Sequence, residues 1–293
     1  MGFVRVIYSP RYEMPLGGHV WPTAKYRLIA ERLAGRTEFT FDAPSAASWD
    51  DLALVHTHEY LEKLRLNSLT PEEVATLELP WRPEIADGFR MMVGGTCAAV
   101  SCALRDGAAA HIGGGLHHAF ANHGEGFCPV NDIAVAIRKA GVRSAVVDCD
   151  VHHGNGTAMI FERDPDVFTF SIHQQHNYPL FKPRSDLDIG LADGAGDDEY
   201  LAALAGALPS VLAHRPDVIV YVAGADPFSG VQLGGLNLTK PGLAARDRMV
   251  IGAARHAGVP VGVVLAGGYA SNIADIVDVH VATIETLVQS ERL

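Results

Sequence analysis

No stretch of the chain approaches the roughly 20 consecutive apolar residues of a membrane-spanning helix, so no membrane partner is expected. Cysteine is scarce. Cys97, Cys102, Cys128 and Cys149 form no CxxC pair and no regular spacing, which argues against a disulfide framework or a zinc finger and fits reduced, mostly buried thiols. Basic residues are also in the minority, with 23 Lys and Arg against 34 Asp and Glu and a net charge of −11. Without clustered cations to neutralise phosphates, sequence-independent nucleic-acid binding is not expected. The opening MGFVRVIYSPRYEMP has no basic segment followed by a long apolar run, and Val6 breaks the myristoylation pattern that Gly2 would begin. A cytoplasmic location is the expectation. Internal repeats, low-complexity tracts and linkers rich in Pro, Gly or Ser are missing, which favours one domain over residues 1–293.

What is present is the composition of a compact globular protein, with 48% hydrophobic and 19% charged residues. Short β-branched runs alternate with Ala- and Leu-rich segments of helical period, the pattern of a parallel α/β sheet. The clearest strands are Val4 to Tyr8, Ala108 to Ile112, Ser144 to Cys149, Val167 to Ile172, Val218 to Ala223 and Val261 to Leu265. Their apolar runs are nearly continuous, as expected for strands covered on both faces. Helices are expected over Thr23 to Leu33, Gly95 to Leu104, Asp132 to Lys139, Glu199 to Leu212, Gly242 to His256 and Ile276 to Val288. Leu66 to Pro83 and Gln174 to Gly196 read as long irregular segments, a kind that is usually functional.

In such a sheet, ligands bind beyond the carboxyl ends of the strands. The residues just after the apolar runs are strongly polar. SAVV leads into Asp148-Cys-Asp150-Val-His152-His153-Gly-Asn155, VIVYVAGA into Asp226, AAHIGGGL into His117-His118, and VGVVLAGG into Tyr269. Residues two apart on an extended chain point to the same side, so Asp150 and His152 could grip one ion, with Asp226 as a third ligand. Two carboxylates and an imidazole suit a borderline divalent metal and leave a position open for water. Helix capping is the competing reading of Asp150-x-His152. Against capping stands the cost of burying so many acids and imidazoles at one strand end with nothing to satisfy them. The His117-His118 pair after three glycines fits a tight turn next to a ligand, or an ordinary hydrogen-bonded pair. A tyrosine at a strand end, such as Tyr269, is usually packing. His56, His58, His111, His214, His256 and His280 have no supporting pattern and read as structural or exposed.

Taken together, GGGLHHAF, GEGFCPVND, DCDVHHGNGT, FTFSIH, SDLDIGLADGAGDDEYL, GADPFSGVQLGGLNLT and LAGGYA resemble successive blocks of the histone deacetylase family, near its bacterial class IV-like members. The resemblance runs from about Tyr8 to near the C-terminus and includes GGHVWPTAKYRLIAERL. It implies a three-layer α/β/α arrangement with a central, mainly parallel, roughly eight-stranded sheet, the arginase/deacetylase fold. It also implies a catalytic zinc held by Asp150, His152 and Asp226. By the same resemblance His118 is the general base, and His117 stabilises charge and helps protonate the leaving amine. Asp148 orients His117, Asn155 stands behind His118 where other branches carry Asp, and Tyr269 polarises the scissile carbonyl. Gly126 and Phe127 match the floor and one wall of an acyl-lysine tunnel, with Tyr178 as the opposite wall and Gly267 beside it. A structural potassium ion matches the carbonyls of Asp148, Asp150, His152 and Ile172 with the Ser171 hydroxyl. The implied substrate is an acylated lysine peptide or an acylated small amine. An acetylpolyamine hydrolase, an arginase-like di-manganese hydrolase and a non-catalytic acyl-lysine binder are the rivals. The aspartate that anchors the substrate backbone at the rim in some branches has no match here.

Overall fold

Every residue of the strands Ala108–His111, Ser144–Asp148, Val218–Val222 and Val261–Val264 is buried, as expected where helices cover both faces. The computed structural model describes residues 3–289. Among them, the strands β1 (Val4–Ile7), β2 (Phe39–Asp42), β3 (Ala108–His111), β4 (Ser144–Asp148), β5 (Val167–Gln174), β6 (Leu187–Leu191), β7 (Val218–Val222) and β8 (Val261–Val264) form one sheet. The order is β2-β1-β3-β8-β7-β4-β5-β6, and every neighbouring pair is parallel. The expected three-layer α/β/α architecture is therefore present.

The helices are α1 (Ala24–Leu33), α2 (Trp49–Leu52), α3 (His58–Arg65), α4 (Pro71–Leu77), α5 (Pro83–Asp106), α6 (Asp132–Ala140), α7 (Asn155–Phe161), α8 (Asp197–Ala213), α9 (Lys240–His256) and α10 (Ile273–Gln289). Alternate strand residues feed two cores. Ala145, Val147, Ile219 and Tyr221 join Ile29, Leu204, Val250 and Ile276 of α1, α8, α9 and α10, whereas Val146, Val218, Val220 and Val222 join Val100 and Ile133 of α5 and α6. Among the described residues no helix is long and apolar enough to cross a membrane.

Two strands and several helices differ from the sequence-based expectation. The two edge strands β2 and β6 each bury only one residue, Phe39 and Leu191, so neither carries a continuous buried apolar run. β6 lies within the stretch Gln174 to Gly196 that reads as irregular. Likewise Leu66 to Pro83 contains α4, which opens on a capping box in which Thr70 Oγ1 accepts from Glu73 N and Glu73 Oε2 accepts from Thr70 N. The helix expected over Gly95 to Leu104 is the second half of α5, which begins with Pro83 in its first turn.

One buried cation ties the sheet together below its carboxyl edge. Arg246 of α9 is fully buried and donates to the carbonyls of Gly224 (2.6 Å) and Cys149 (3.3 Å), just past β7 and β4. Its charge is met by Asp247 at 2.8 Å, whose carboxylate also accepts from the hydroxyls of Tyr221 and Thr283, both at 2.6 Å. Removing one member of a buried ion pair leaves the other uncompensated and typically costs about 3–5 kcal/mol. Asp247→Ala is therefore expected to lower stability by about that amount in denaturant unfolding. A cost below about 1 kcal/mol would show that the network does not hold the strand ends.

Candidate active site

Three glycines with positive φ, Gly113 (154°), Gly114 (74°) and Gly115 (82°), turn the chain sharply after β3. The turn is held from below by Asp132 at the start of α6, whose carboxylate accepts the N–H groups of Gly115 (3.0 Å) and Leu116 (2.7 Å). A Cβ on Gly115 would stand 2.6 Å from Ala266 Cα, so glycine lets this loop press against the segment leaving β8. His117 and His118 are thereby delivered beside the ends of β8, β7 and β4.

There the acids converge. Asp150 and His152 lie on a bend beyond β4, not on the strand itself, and Asp226 follows β7. The Nδ1 atom of His152 is 3.0 Å from Asp150 Oδ1 and 3.5 Å from Asp226 Oδ2. One ligand atom from each of the three falls within 4.8 Å of the others. Backbone amides hold the outer carboxylate oxygens, Val151 N donating to Asp226 Oδ1 (2.9 Å) and Gly267 N to Asp150 Oδ2 (2.9 Å). The inner oxygen of Asp226, Oδ2, is buried with no hydrogen-bond partner. His152 Nε2–H donates to the Leu233 carbonyl (3.2 Å), which turns Nδ1 toward the two carboxylates. Helix capping is excluded for Asp150 and His152, because α7 starts after Gly154 with no side-chain cap.

The two adjacent imidazoles have opposite electrostatics. Burial opposes a charge on His117, but the Asp148 and Asp150 carboxylates outweigh it and push its pKa up to about 9. His117 Nδ1–H donates to Asp148 Oδ2 at 2.7 Å. For His118, burial, then the neighbouring His117 and His152, drive the pKa well below the ordinary imidazole range. His118 Nδ1 lies 2.7 Å from Asn155 Oδ1, which can only accept, so the proton is on Nδ1. The 3.1 Å contact between the two Nε2 atoms is then a bond from protonated His117 to neutral His118.

His117, His118, Asp150 and His152 line a cavity of about 170 Å³ that also includes Gly126, Phe127, Tyr178, Gly267 and Tyr269. Phe127 has a φ of 67°, a conformation unusual for a bulky residue, and is held by its N–H to the Leu77 carbonyl at 2.9 Å. Its ring meets Tyr269 edge-on with centroids 5.8 Å apart. Tyr178 stands edge-on to His118 at 4.9 Å, and a Cβ on Gly126 would come within 2.8 Å of the Tyr178 ring and 2.9 Å of His118 Cδ2. Burial, with Asp150 and Asp226 nearby, raises the Tyr269 pKa well above its usual value, so the phenol stays protonated and can donate.

Asp148 and Ser171 face each other in register across β4 and β5, with Ile172 next along β5. His153, His173 and Asp188 form a separate cluster, with His153 Nε2 donating to Asp188 Oδ1 at 3.1 Å. Of the histidines read as structural or exposed, His56 and His111 are buried and hydrogen-bonded, while His58 and His256 are exposed. His280 is buried with neither ring nitrogen partnered.

Sequence reasoning missed two charged residues here. Lys25 is fully buried, donates to the Ala266 carbonyl (3.0 Å) and lies over the Tyr269 ring at 5.5 Å. Burial lowers its pKa to about 8 although Asp226 and Asp150 pull the other way. Glu125 accepts from Asn155 Nδ2 (2.8 Å) and from the Tyr178 hydroxyl (2.9 Å). Its position inside GEGFCPVND is a signal that a search of turns near glycines could have used.

An all-parallel α/β/α sheet with a buried acid–imidazole site on its carboxyl edge defines the arginase/deacetylase class of fold. The HD domain of HDA15 matches it with a TM-score of 0.79 at 25% identity, over 97% of this chain and 90% of that one. The histone deacetylase domain family matches residues 19–284, and the chain belongs to that family. It is 41% identical to an uncharacterized protein of Picosynechococcus sp., over 96% of each chain. It is 34% identical to the acetoin utilization protein AcuC of Bacillus subtilis, over 75% of this chain and 65% of that one. With the histone deacetylase-like amidohydrolase of Pseudomonas aeruginosa the identity is 32%, over 87% of this chain and 76% of the other.

A Cβ on Gly267 would lie 1.9 Å from Asp226 Oδ2 and 2.6 Å from Asp150 Oδ2. Gly267→Ala should therefore spread the two carboxylates and abolish retention of a divalent ion, as read by metal analysis of the purified protein. A variant with undiminished metal content would show that the carboxylates do not need this close approach.

Proposed function

We propose that this chain is a zinc-dependent amidohydrolase that cleaves the amide of an N-acyl-lysine or a similar N-acyl amine, releasing a carboxylate, commonly acetate, and the free amine. The observation that carries this reading is the unpartnered inner oxygen of Asp226, clustered with ligand atoms of Asp150 and His152 within 4.8 Å of one another, where Asp150 and His152 line the cavity together with His117, His118 and Tyr269. Two buried carboxylates and an imidazole with its far nitrogen tied to a carbonyl fit a catalytic zinc. Zinc held there would supply Lewis acidity, polarising the scissile carbonyl and acidifying nearby water.

The chain's own groups do the rest. His118, neutral, exchanges the bond that its Nε2 accepts from His117 for one from the attacking water and takes the water's proton there. His117, already protonated and braced by Asp148, stabilises the developing negative charge and gives its proton to the leaving amine. The Tyr269 hydroxyl donates to the carbonyl oxygen as charge builds there. Phe127 and Tyr178, with Gly126 and Gly267 between the walls, enclose the apolar stem of the substrate. Asp148, Asp150, His152, Ser171 and Ile172 would hold a structural potassium ion, a reading supported by the pairing of Asp148 with Ser171 across the sheet. A cytoplasmic location and a single-domain organisation belong to the same reading, the former supported by the four free cysteines. The decisive experiment is turnover of acetyl-lysine peptides and acetylated polyamines by zinc-loaded protein, with metal counted per chain. Inert protein carrying one zinc would leave only a binding role.

Before a cation binds, Asp150 and Asp226 push the His152 pKa up to about 10 against the effect of burial, while burial and Asp150 raise Asp226 to about 6. An incoming cation must displace the His152 proton at neutral pH, and below about pH 6 a second proton on Asp226. Affinity should therefore rise with pH, about tenfold tighter at pH 7.5 than at 6.5 for one displaced proton, measured by chelator competition. A flat profile would contradict this site. Tyr269→Phe removes one donor and keeps the ring, so kcat should fall about 100- to 1,000-fold, roughly 3 to 4 kcal/mol, with KM, zinc content and melting temperature nearly unchanged. Near-normal kcat in a zinc-loaded Phe variant would return Tyr269 to a packing role.

A further inference from the structure

We infer that Glu125 is a positioning residue that selects the tautomer of His118 by fixing which end of the Asn155 amide faces it. This rests on the reading of His118 as the proton acceptor. Glu125 does not touch His118. Its Oε1 accepts from Asn155 Nδ2 at 2.8 Å, and Asn155 Oδ1 is 2.7 Å from His118 Nδ1. An amide has one donor end and one acceptor end, whereas a carboxylate can only accept. The amino end of Asn155 must therefore face Glu125, which turns its carbonyl end to His118. That carbonyl in turn requires the proton on Nδ1 and leaves the lone pair on Nε2, the atom that faces His117 and the cavity.

Asn155 is buried, so the amide has no water with which to exchange these partners. Without Glu125 it could turn over, offer its amino group to Nδ1 and favour the tautomer that carries its proton on Nε2. That form cannot take a proton from water at Nε2. The same Oε1 accepts the Tyr178 hydroxyl at 2.9 Å, and the Tyr178 ring packs edge-on against His118. One carboxylate oxygen thus governs both the protonation site of the imidazole and one wall beside it. Burial disfavours the charge of Glu125, but hydrogen bonds from His123, Asn155 and Tyr178 outweigh it and hold its carboxyl below the ordinary range. The carboxylate is therefore ionised, and acceptor-only, at neutral pH.

The test compares Glu125→Met, Glu125→Gln, Tyr178→Phe, Asn155→Ala and the Glu125→Met/Asn155→Ala double variant in the zinc-loaded, full-length protein. Glu125→Ala stands in for Met if Met lowers the melting temperature. Glu125→Met should reduce kcat about 10-fold with KM changed far less. Glu125→Gln, whose carbonyl can accept from both Asn155 and Tyr178, should retain most of kcat. In the Asn155→Ala background the Met substitution should cause no further loss of kcat, because its route to His118 is gone. An equal loss in both backgrounds, a loss in Glu125→Gln as large as in Glu125→Met, or a loss reproduced in full by Tyr178→Phe would overturn the inference. A second readout does not depend on turnover. The imidazole nitrogen shifts of histidine-labelled protein should show His118 protonated on Nδ1 in the wild type and a mixture of tautomers in Glu125→Met. Unchanged shifts would also overturn the inference, whereas an inactive zinc-loaded wild type with the expected shifts would overturn only the hydrolase reading.

Discussion

Burial of two carboxylates a few ångströms apart, Asp150 and Asp226, is the constraint around which the carboxyl edge of the sheet is built. Such charges are costly away from water unless each oxygen is met by a donor or a cation. Val151 N, Gly267 N and His152 N satisfy three of the four positions, and the fourth, Asp226 Oδ2, has no hydrogen-bond partner. The glycines at 224 and 267 follow from this, since a Cβ at either would lie within 3 Å of one of these carboxylates. So does the cation beneath, Arg246, which grips the carbonyls at the ends of β4 and β7.

The sheet order explains why residues distant in the chain meet. β3, β8, β7, β4 and β5 are successive neighbours, all running the same way, so their carboxyl ends open on one rim. His118, Tyr269, Asp226 and Asp150 follow β3, β8, β7 and β4, and Ser171 lies within β5 beside them. A parallel α/β sheet in which the two edge strands are least buried concentrates its buried polar groups at the centre of that rim.

Within the rim, environment makes different reagents of similar side chains. His117 leans on Asp148 and keeps a proton, whereas His118 leans on an uncharged amide and loses one. Had residue 155 carried a carboxylate, both rings would be drawn toward the charged form and would repel each other across 3.1 Å. The negative charge is present, but one amide further away, on Glu125.

The sequence by itself determined the central strands, because a strand covered on both faces is apolar through its middle, as Val218–Val222 and residues 145–147 are. It also placed the acids, imidazoles and tyrosine at strand ends, since the change from apolar to polar is local and visible along the chain. The edge strands Phe39–Asp42 and Leu187–Leu191 escaped it, being half-exposed and without a continuous run. Only the tertiary structure decided that Asp150-x-His152 faces Asp226 instead of capping α7. Only there, too, do the burial of Lys25 and the bond from Asn155 to Glu125 emerge. Whether a charged side chain is buried depends on what packs over it, and Lys25 meets its acceptor, the Ala266 carbonyl, 241 residues away. Local sequence records the chemistry a residue can do, and the fold selects which of those residues share one cavity.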